Sequence, residues 1–149
     1  AGNKKSDKPE HKGNINGDDF GSPDGLAFDN RGVLWIETDV SSSTINLKEY
    51  SGMGNNQMLA TIPGQNEYRR FLTGPNGCEI TGIAFTPDNK TLFINIQHPG
   101  EPQKGESNPS NPTAVSAWPD GPAGGRPRSA TVVITKDDGG IIGSWVETI

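Results

Sequence analysis

The sequence predicts an all-β protein, a partial β-propeller of about two to three blades of antiparallel strands joined by long Pro/Gly-rich loops. Three observations carry that expectation. Short runs of β-branched, aromatic and alternating apolar residues recur between turn sequences along the chain. One hairpin pattern occurs twice, 57 positions apart from Gly25 to Gly82. With 20 Gly and 12 Pro in 149 residues, nearly every window long enough for a helix is interrupted.

The composition also excludes several classes. A net charge of −5 is the wrong sign for a nucleic-acid footprint, which is basic. No apolar run is long enough for a membrane span, and no charged-then-apolar leader opens the chain. A single cysteine, Cys78, excludes an internal disulfide framework. The start at Ala1, without an initiator Met, points to a processed or excised piece.

Residues 1–13 are polar and Lys-rich, the composition of a flexible terminus, and 14–149 form the expected folded unit. Asn14 to Asp19 is a polar loop with oxygen donors but without the spaced acids of an EF-hand. Leu26 and Phe28 alternate with small neighbours as in a half-buried strand, Asp29-Asn30-Arg31-Gly32 has turn chemistry, and Val33–Ile36 is the returning strand. Residues 40–50 are rich in Ser and Thr and ambiguous. Gln57–Ile62 and Glu67–Leu72 read as strands around a turn at Pro63–Asn66. Glu79–Phe85 and Thr91–Gln97 follow as strands around Thr86–Lys90. Residues 99–129 are a long Pro- and Gly-rich loop, functional or a lid. Thr131–Thr135 is β-branched throughout and reads as a strand; Ile141–Ile142 is expected to begin its partner.

The repeat aligns Gly25-Leu26-Ala27-Phe28 with Gly82-Ile83-Ala84-Phe85, and Leu34-Trp35-Ile36 with Leu92-Phe93-Ile94 after one extra residue in the second turn. Four strands fit between the two starts, the spacing of a propeller blade. A propeller usually has about 4–8 blades, so this chain reads as part of a ring whose other blades lie elsewhere.

Seven stretches, in order, resemble the C-terminal part of the PhoX-type alkaline phosphatases. They are Phe20-Gly-Ser-Pro-Asp-Gly-Leu, Leu34-Trp-Ile-Glu-Thr-Asp, Gly54-Asn-Asn-Gln-Met-Leu, Arg70-Phe-Leu-Thr-Gly-Pro-Asn-Gly-Cys-Glu-Ile-Thr-Gly, Asn95-Ile-Gln-His-Pro-Gly-Glu, Ser116-Ala-Trp-Pro-Asp-Gly and Arg128-Ser-Ala-Thr-Val-Val-Ile. The resemblance runs from about residue 14 to residue 143. It implies a secreted or periplasmic phosphomonoesterase on a β-propeller, with iron and calcium buried near its central channel. The family's chain is several times longer, and its iron ligands belong mainly to the portion beyond this segment. Cys78 lies outside the family's iron-binding cysteine motif and takes no such role. The piece alone is expected not to hydrolyse a phosphomonoester.

Phosphoryl transfer needs charge neutralised at the phosphate and an activated oxygen nucleophile, which carboxylate-held metals supply. Calcium takes hard oxygen ligands, so acids at the mouths of the hairpins are the candidates. Asp24 and Glu79 stand at matching strand starts, on one side-chain parity, and both can face the channel as metal ligands. The ordinary alternative is a turn cap and a solvated edge acid. Glu37 and Asp39, at a strand end, are ligands, partners of ligands, or solvated charges. His98 fits a catalytic contact to phosphate or to a metal-bound water, and equally a turn histidine. Arg126 and Arg128 suit phosphate binding, or plain surface. Asn55 and Asn56 fit positive-φ turn positions and calcium ligation equally. Trp35 and Trp118 read as packing. Two other functions remain open beside the phosphatase segment: a non-catalytic calcium-binding propeller fragment, and a single-metal lactonase-type propeller.

Overall fold

Asp29 Oδ1 accepts hydrogen bonds from the backbone N–H groups of Arg31 and Val33 at 2.9 and 3.1 Å. A short acid bonding the backbone just ahead of it makes the turn. The flanking strands, β2 (Pro23–Phe28) and β3 (Leu34–Thr38), pair antiparallel with Ala27 opposite Trp35. The same logic produces the other hairpins of the computed structural model, which describes residues 1–144. The last five positions of the expected 14–149 unit lie outside the described residues.

Two further strands, β4 (Gln57–Thr61) and β5 (Glu67–Thr73), continue a meander from β3. A two-residue strand, β1 (Asn16–Gly17), adds parallel to β5. The sheet order is β1-β5-β4-β3-β2. The second sheet is β6 (Glu79–Phe85), β7 (Thr91–Gln97) and β8 (Ala130–Thr135), in that order and antiparallel throughout. The expected strands up to Thr135 are therefore present, in two sheets that stack face to face as successive propeller blades do.

The first sheet presents Trp35, Met58 and Ala60, and the second Ile80, Leu92, Ile94 and Ile96, to one shared core. Trp35 is fully buried, edge-on to Phe71 at 5.1 Å and tilted against Phe85 at 5.2 Å. Removing a buried Trp typically costs about 3–5 kcal/mol, so this side chain is a main fastener between the sheets. On the far face of the first sheet, Ile36 and Leu59 pack under Phe20, with Ile15 and Tyr68 alongside.

Comparing equivalent repeat positions shows what each outer face lacks. Trp35 is buried, but its counterpart Phe93 is 36% exposed; Ile83 and Phe85 pack against the core, but Leu26 and Phe28 are 62% and 64% exposed. The expected half-burial of Leu26 and Phe28 is thus not met within this chain. The same residue types are covered where a neighbouring sheet stands and bare where none does.

Other departures are local. Residues 40–50 form turns ending in a short 3₁₀ helix, Lys48–Tyr50. Ile141–Ile142 do not begin a strand. Ile142 is instead buried, its N–H donating to Asn89 O at 2.9 Å and its carbonyl accepting from Arg31 at 2.7 Å. Burial in the inter-sheet core, not strand pairing, accounts for the apolar residue at Ile142, whereas Ile141 is exposed. Near the start, α1 (Pro9–Lys12) is a single turn, Gly2 bridges to Phe20, and buried Asn3 donates to Glu49 O at 3.1 Å.

Candidate metal centre at the hairpin mouths

β2 and β3 both touch β6, so the open ends of the two hairpins meet. Each first strand breaks register around its repeat glycine, between Pro23 and Leu26 in β2 and between Thr81 and Ala84 in β6. Such bulges re-aim side chains beside a site. Gly25 and Gly82 occupy the two breaks. Gly82 takes φ +67, while Gly25 is needed for closeness, since a Cβ there would collide with Glu37 Oε2.

Glu37 is the centre of the cluster. It leaves β3 two residues after Trp35, on the face turned to the second sheet, and is 1% exposed. Its Oε1 has no hydrogen-bond partner. Burial, then the charges of Glu79 and Asp24, push its carboxyl up to about 7. A buried, unpaired carboxylate is costly, and raising its pKa is how the fold tolerates it without a cation. Glu79, half-buried at the start of β6, is also raised, by burial and then by Asp39, with a smaller push from Asp24 and an opposing pull from His98. Asp24, Glu37, Asp39 and Glu79 therefore act on one another, as antiparallel hairpins with acidic mouths require. Asp24 and Asp39 are themselves exposed.

His98 terminates β7 in the left-handed region, φ +37, a strained position for a non-glycine residue. Its Nδ1 lies 3.2 Å from Gly77 O and 3.8 Å from Glu101 Oε2, and its Nε2 lies 3.5 Å from Glu79 Oε2. Its backbone N–H donates to Ser129 Oγ at 3.0 Å. Both ring nitrogens thus face protein groups. A polar cavity of about 240 Å³ opens beside them, with Asp39, Ser41, Asn56, His98 and Glu101 on its wall.

The remaining candidates separate. Arg128 forms a forked pair with Asp120, through its NH2 at 3.1 Å and a shorter contact from NH1. Arg126 is exposed and lies on the wall of a second cavity. Asn56 is fully engaged: its Oδ1 accepts from Thr38 Oγ1 and Val40 N, and its Nδ2 donates to Val40 O and Cys78 O, at 2.7–3.1 Å. Asn55 donates to Asn76 Oδ1 at 2.7 Å. Cys78 is buried, and burial drives its thiol to about 12, which makes it core and not ligand. Sequence reasoning did not single out Gly25 or Glu101; a glycine within a strand was the available signal for the first.

The donor set fits a hard cation. All four acids offer oxygen, one oxygen is buried without a partner, and calcium accepts mixed carboxylate and carbonyl ligands. Among the described residues, however, no three His, Cys, Asp or Glu side chains close tightly enough to hold a metal by themselves.

Comparison with known proteins bears on this arrangement. The family model for alkaline phosphatase PhoX matches residues 1–100. The solved structure of Pseudomonas fluorescens PhoX in complex with vanadate, a transition state analogue, is 51% identical, with a TM-score of 0.69. That match covers 85% of this chain and 20% of the solved one, so the chain spans about a fifth of the length of that relative. No curated protein gives a significant match. Among the described residues, no helix is long and apolar enough to cross a membrane.

Proposed function

The chain belongs to the PhoX alkaline phosphatase family, and from that premise we propose that it is part of a metal-dependent phosphomonoesterase that releases inorganic phosphate from organic phosphate esters outside the cytoplasm, in the periplasm or secreted. Its own contribution is the calcium-side carboxylates Asp24, Glu37, Asp39 and Glu79. The cage is completed by ligands from the rest of the longer protein, which also holds the iron. The observation that carries the reading is Glu37: a carboxylate fully out of water with an orphaned oxygen, facing two further acids, in a chain with a net charge of −5.

A bound metal cluster supplies charge neutralisation at the phosphate oxygens and activation of an oxygen nucleophile. This chain's residues prepare for it. Gly25 gives Glu37 room, and the stacked sheets keep water from it. His98, pinned at Gly77 O, holds Glu79 at the mouth of β6 and so positions a ligand; contact with phosphate is left to other groups. Of the two arginines, Arg128 is committed to Asp120 and Arg126 lines the larger cavity beyond His98, so phosphate is held by groups other than these two. The bare faces at Leu26, Phe28, Phe93 and Val133 are covered by the remaining blades.

Hydrolysis of 4-nitrophenyl phosphate by the intact protein tests the reading. Activity that disappears on chelation and returns with calcium and iron together is expected, with none from the 149-residue piece alone. Full activity in the presence of chelator, or turnover by the isolated piece, would contradict it.

A further inference from the structure

Two cavities share His98 and Glu101 as a common wall. One is the polar cavity that reaches Asp39. The other, about 470 Å³, lies within the Pro-rich segment between residues 98 and 127. Its size falls in the range of small-molecule sites, roughly 300–1,000 Å³. Pro99, Pro102, Pro109, Pro112 and Pro127 form much of its lining, with Arg126 among them. Proline rings fix φ and carry no side-chain rotamers to freeze, so such walls lose little freedom when a ligand enters.

The turn that separates the cavities is held firmly. Gly100 N donates to Asn76 O at 2.8 Å, Pro127 packs on Gly100, and Ser129 Oγ holds His98 N. The two spaces therefore keep a fixed relation, Asp39 and polar groups on one side of the imidazole and mainly proline walls, with Glu106 and Arg126 among them, on the other. Arg126 has no hydrogen-bond or ion-pair partner among the described residues, unlike Arg128. An unpaired guanidinium plane beside proline faces is a surface on which a flat ring packs well.

Resting on the phosphatase reading, we infer that the proline-walled cavity receives the organic group of the phosphate ester and favours esters of ring-bearing alcohols. The phosphate sits toward the acids, and the ring passes His98 into the apolar space against Arg126. This geometry makes selectivity a property of the cavity alone, separable from recognition of phosphate itself.

Equilibrium dialysis of the intact protein with 2-naphthol, the alcohol product of an aromatic ester, tests this without relying on turnover. Saturable binding is expected, weakened about tenfold by Ala114→Trp, which fills the cavity from an exposed lining position, and about threefold by Arg126→Ala. In kinetics, Ala114→Trp should raise KM for 2-naphthyl phosphate about tenfold and leave KM for glycerol 2-phosphate and inhibition by inorganic phosphate unchanged. No saturable binding, binding unchanged in both variants, or equal KM changes for the two esters would overturn the inference. Binding of 2-naphthol with this variant pattern, but hydrolysis of neither ester, would uphold the ring site and refute the phosphatase reading instead.

Discussion

Asp29 and Glu37 lie eight residues apart around one short hairpin strand, both nearly excluded from water, and their surroundings are opposite. Asp29 accepts from Arg31 N, Val33 N, the Arg31 guanidinium and Trp35 Nε1. Those bonds outweigh burial and hold its carboxyl below the ordinary range. Glu37 has an orphaned oxygen and acidic neighbours, and its carboxyl is driven to about 7. The turn end of the paired hairpins is further tied by Asn30, which donates to Pro87 O at 2.7 Å and accepts from Asn89. At the mouth end Asn56 ties Val40 to Cys78, but no donor reaches Glu37 Oε1. What separates the two acids is satisfaction, not burial: every bond offered to Asp29 is made, whereas Glu37 keeps one oxygen without a donor, and the proposed cation site rests on that difference.

The contrast can be broken most severely at Asp29. Asp29→Ala leaves a half-buried Arg31, the indole N–H of Trp35 and two backbone N–H groups without their acceptor, and should destabilise the protein by about 3 kcal/mol in denaturant unfolding. Its metal content, once folded, should not change. A loss below about 1 kcal/mol would show that this end is not the anchor.

The next effect is in pH. Metal-free native protein keeps the Glu37 proton up to about pH 7, whereas the unfolded chain releases it near the ordinary value of 4.5. The folded state then binds more protons between those values, and stability falls by about 3 kcal/mol as pH rises through them. Glu37→Gln should abolish that slope, measured as unfolding free energy against pH in chelator. Asp29 contributes in the opposite sense, its stabilisation being lost on acidification. A slope that survives in Glu37→Gln would assign it to another group.

The smallest effect sharpens the argument about missing neighbours. Phe28→Ser should change the stability of the 149-residue chain by less than about 0.5 kcal/mol, because the ring is already in water. In the intact protein the same change should cost more than about 1 kcal/mol by thermal or chemical unfolding. Equal, small costs in both would mean that nothing covers this face.

Much of the fold was legible because its signals are local. Thr131–Thr135 is β-branched and could hardly be anything but a strand, and the Asp-Asn-Arg-Gly turn fixes its hairpin by short polar side chains. The meeting of the acids was legible too, since an antiparallel hairpin must bring its open ends together. Which acid is buried was not. Glu37 and Asp39 share one strand end, and only stacking of the second sheet puts one under cover and leaves the other in solvent. Likewise nothing local tells that Ile142 serves the inter-sheet core and not a ladder, or that His98 turns both nitrogens to protein. Leu26 and Phe28 read as half-buried because alternation marks an apolar face, and alternation does not tell whether a covering sheet belongs to the same chain.

The most direct test of the account is the metal content of the purified intact protein, wild type beside Glu37→Gln, by elemental mass spectrometry. Calcium together with iron is expected in the wild type, and at least one calcium ion per chain should be lost from the variant. Identical calcium content in the two proteins would contradict it, because the buried, unpartnered carboxylate would then hold no cation.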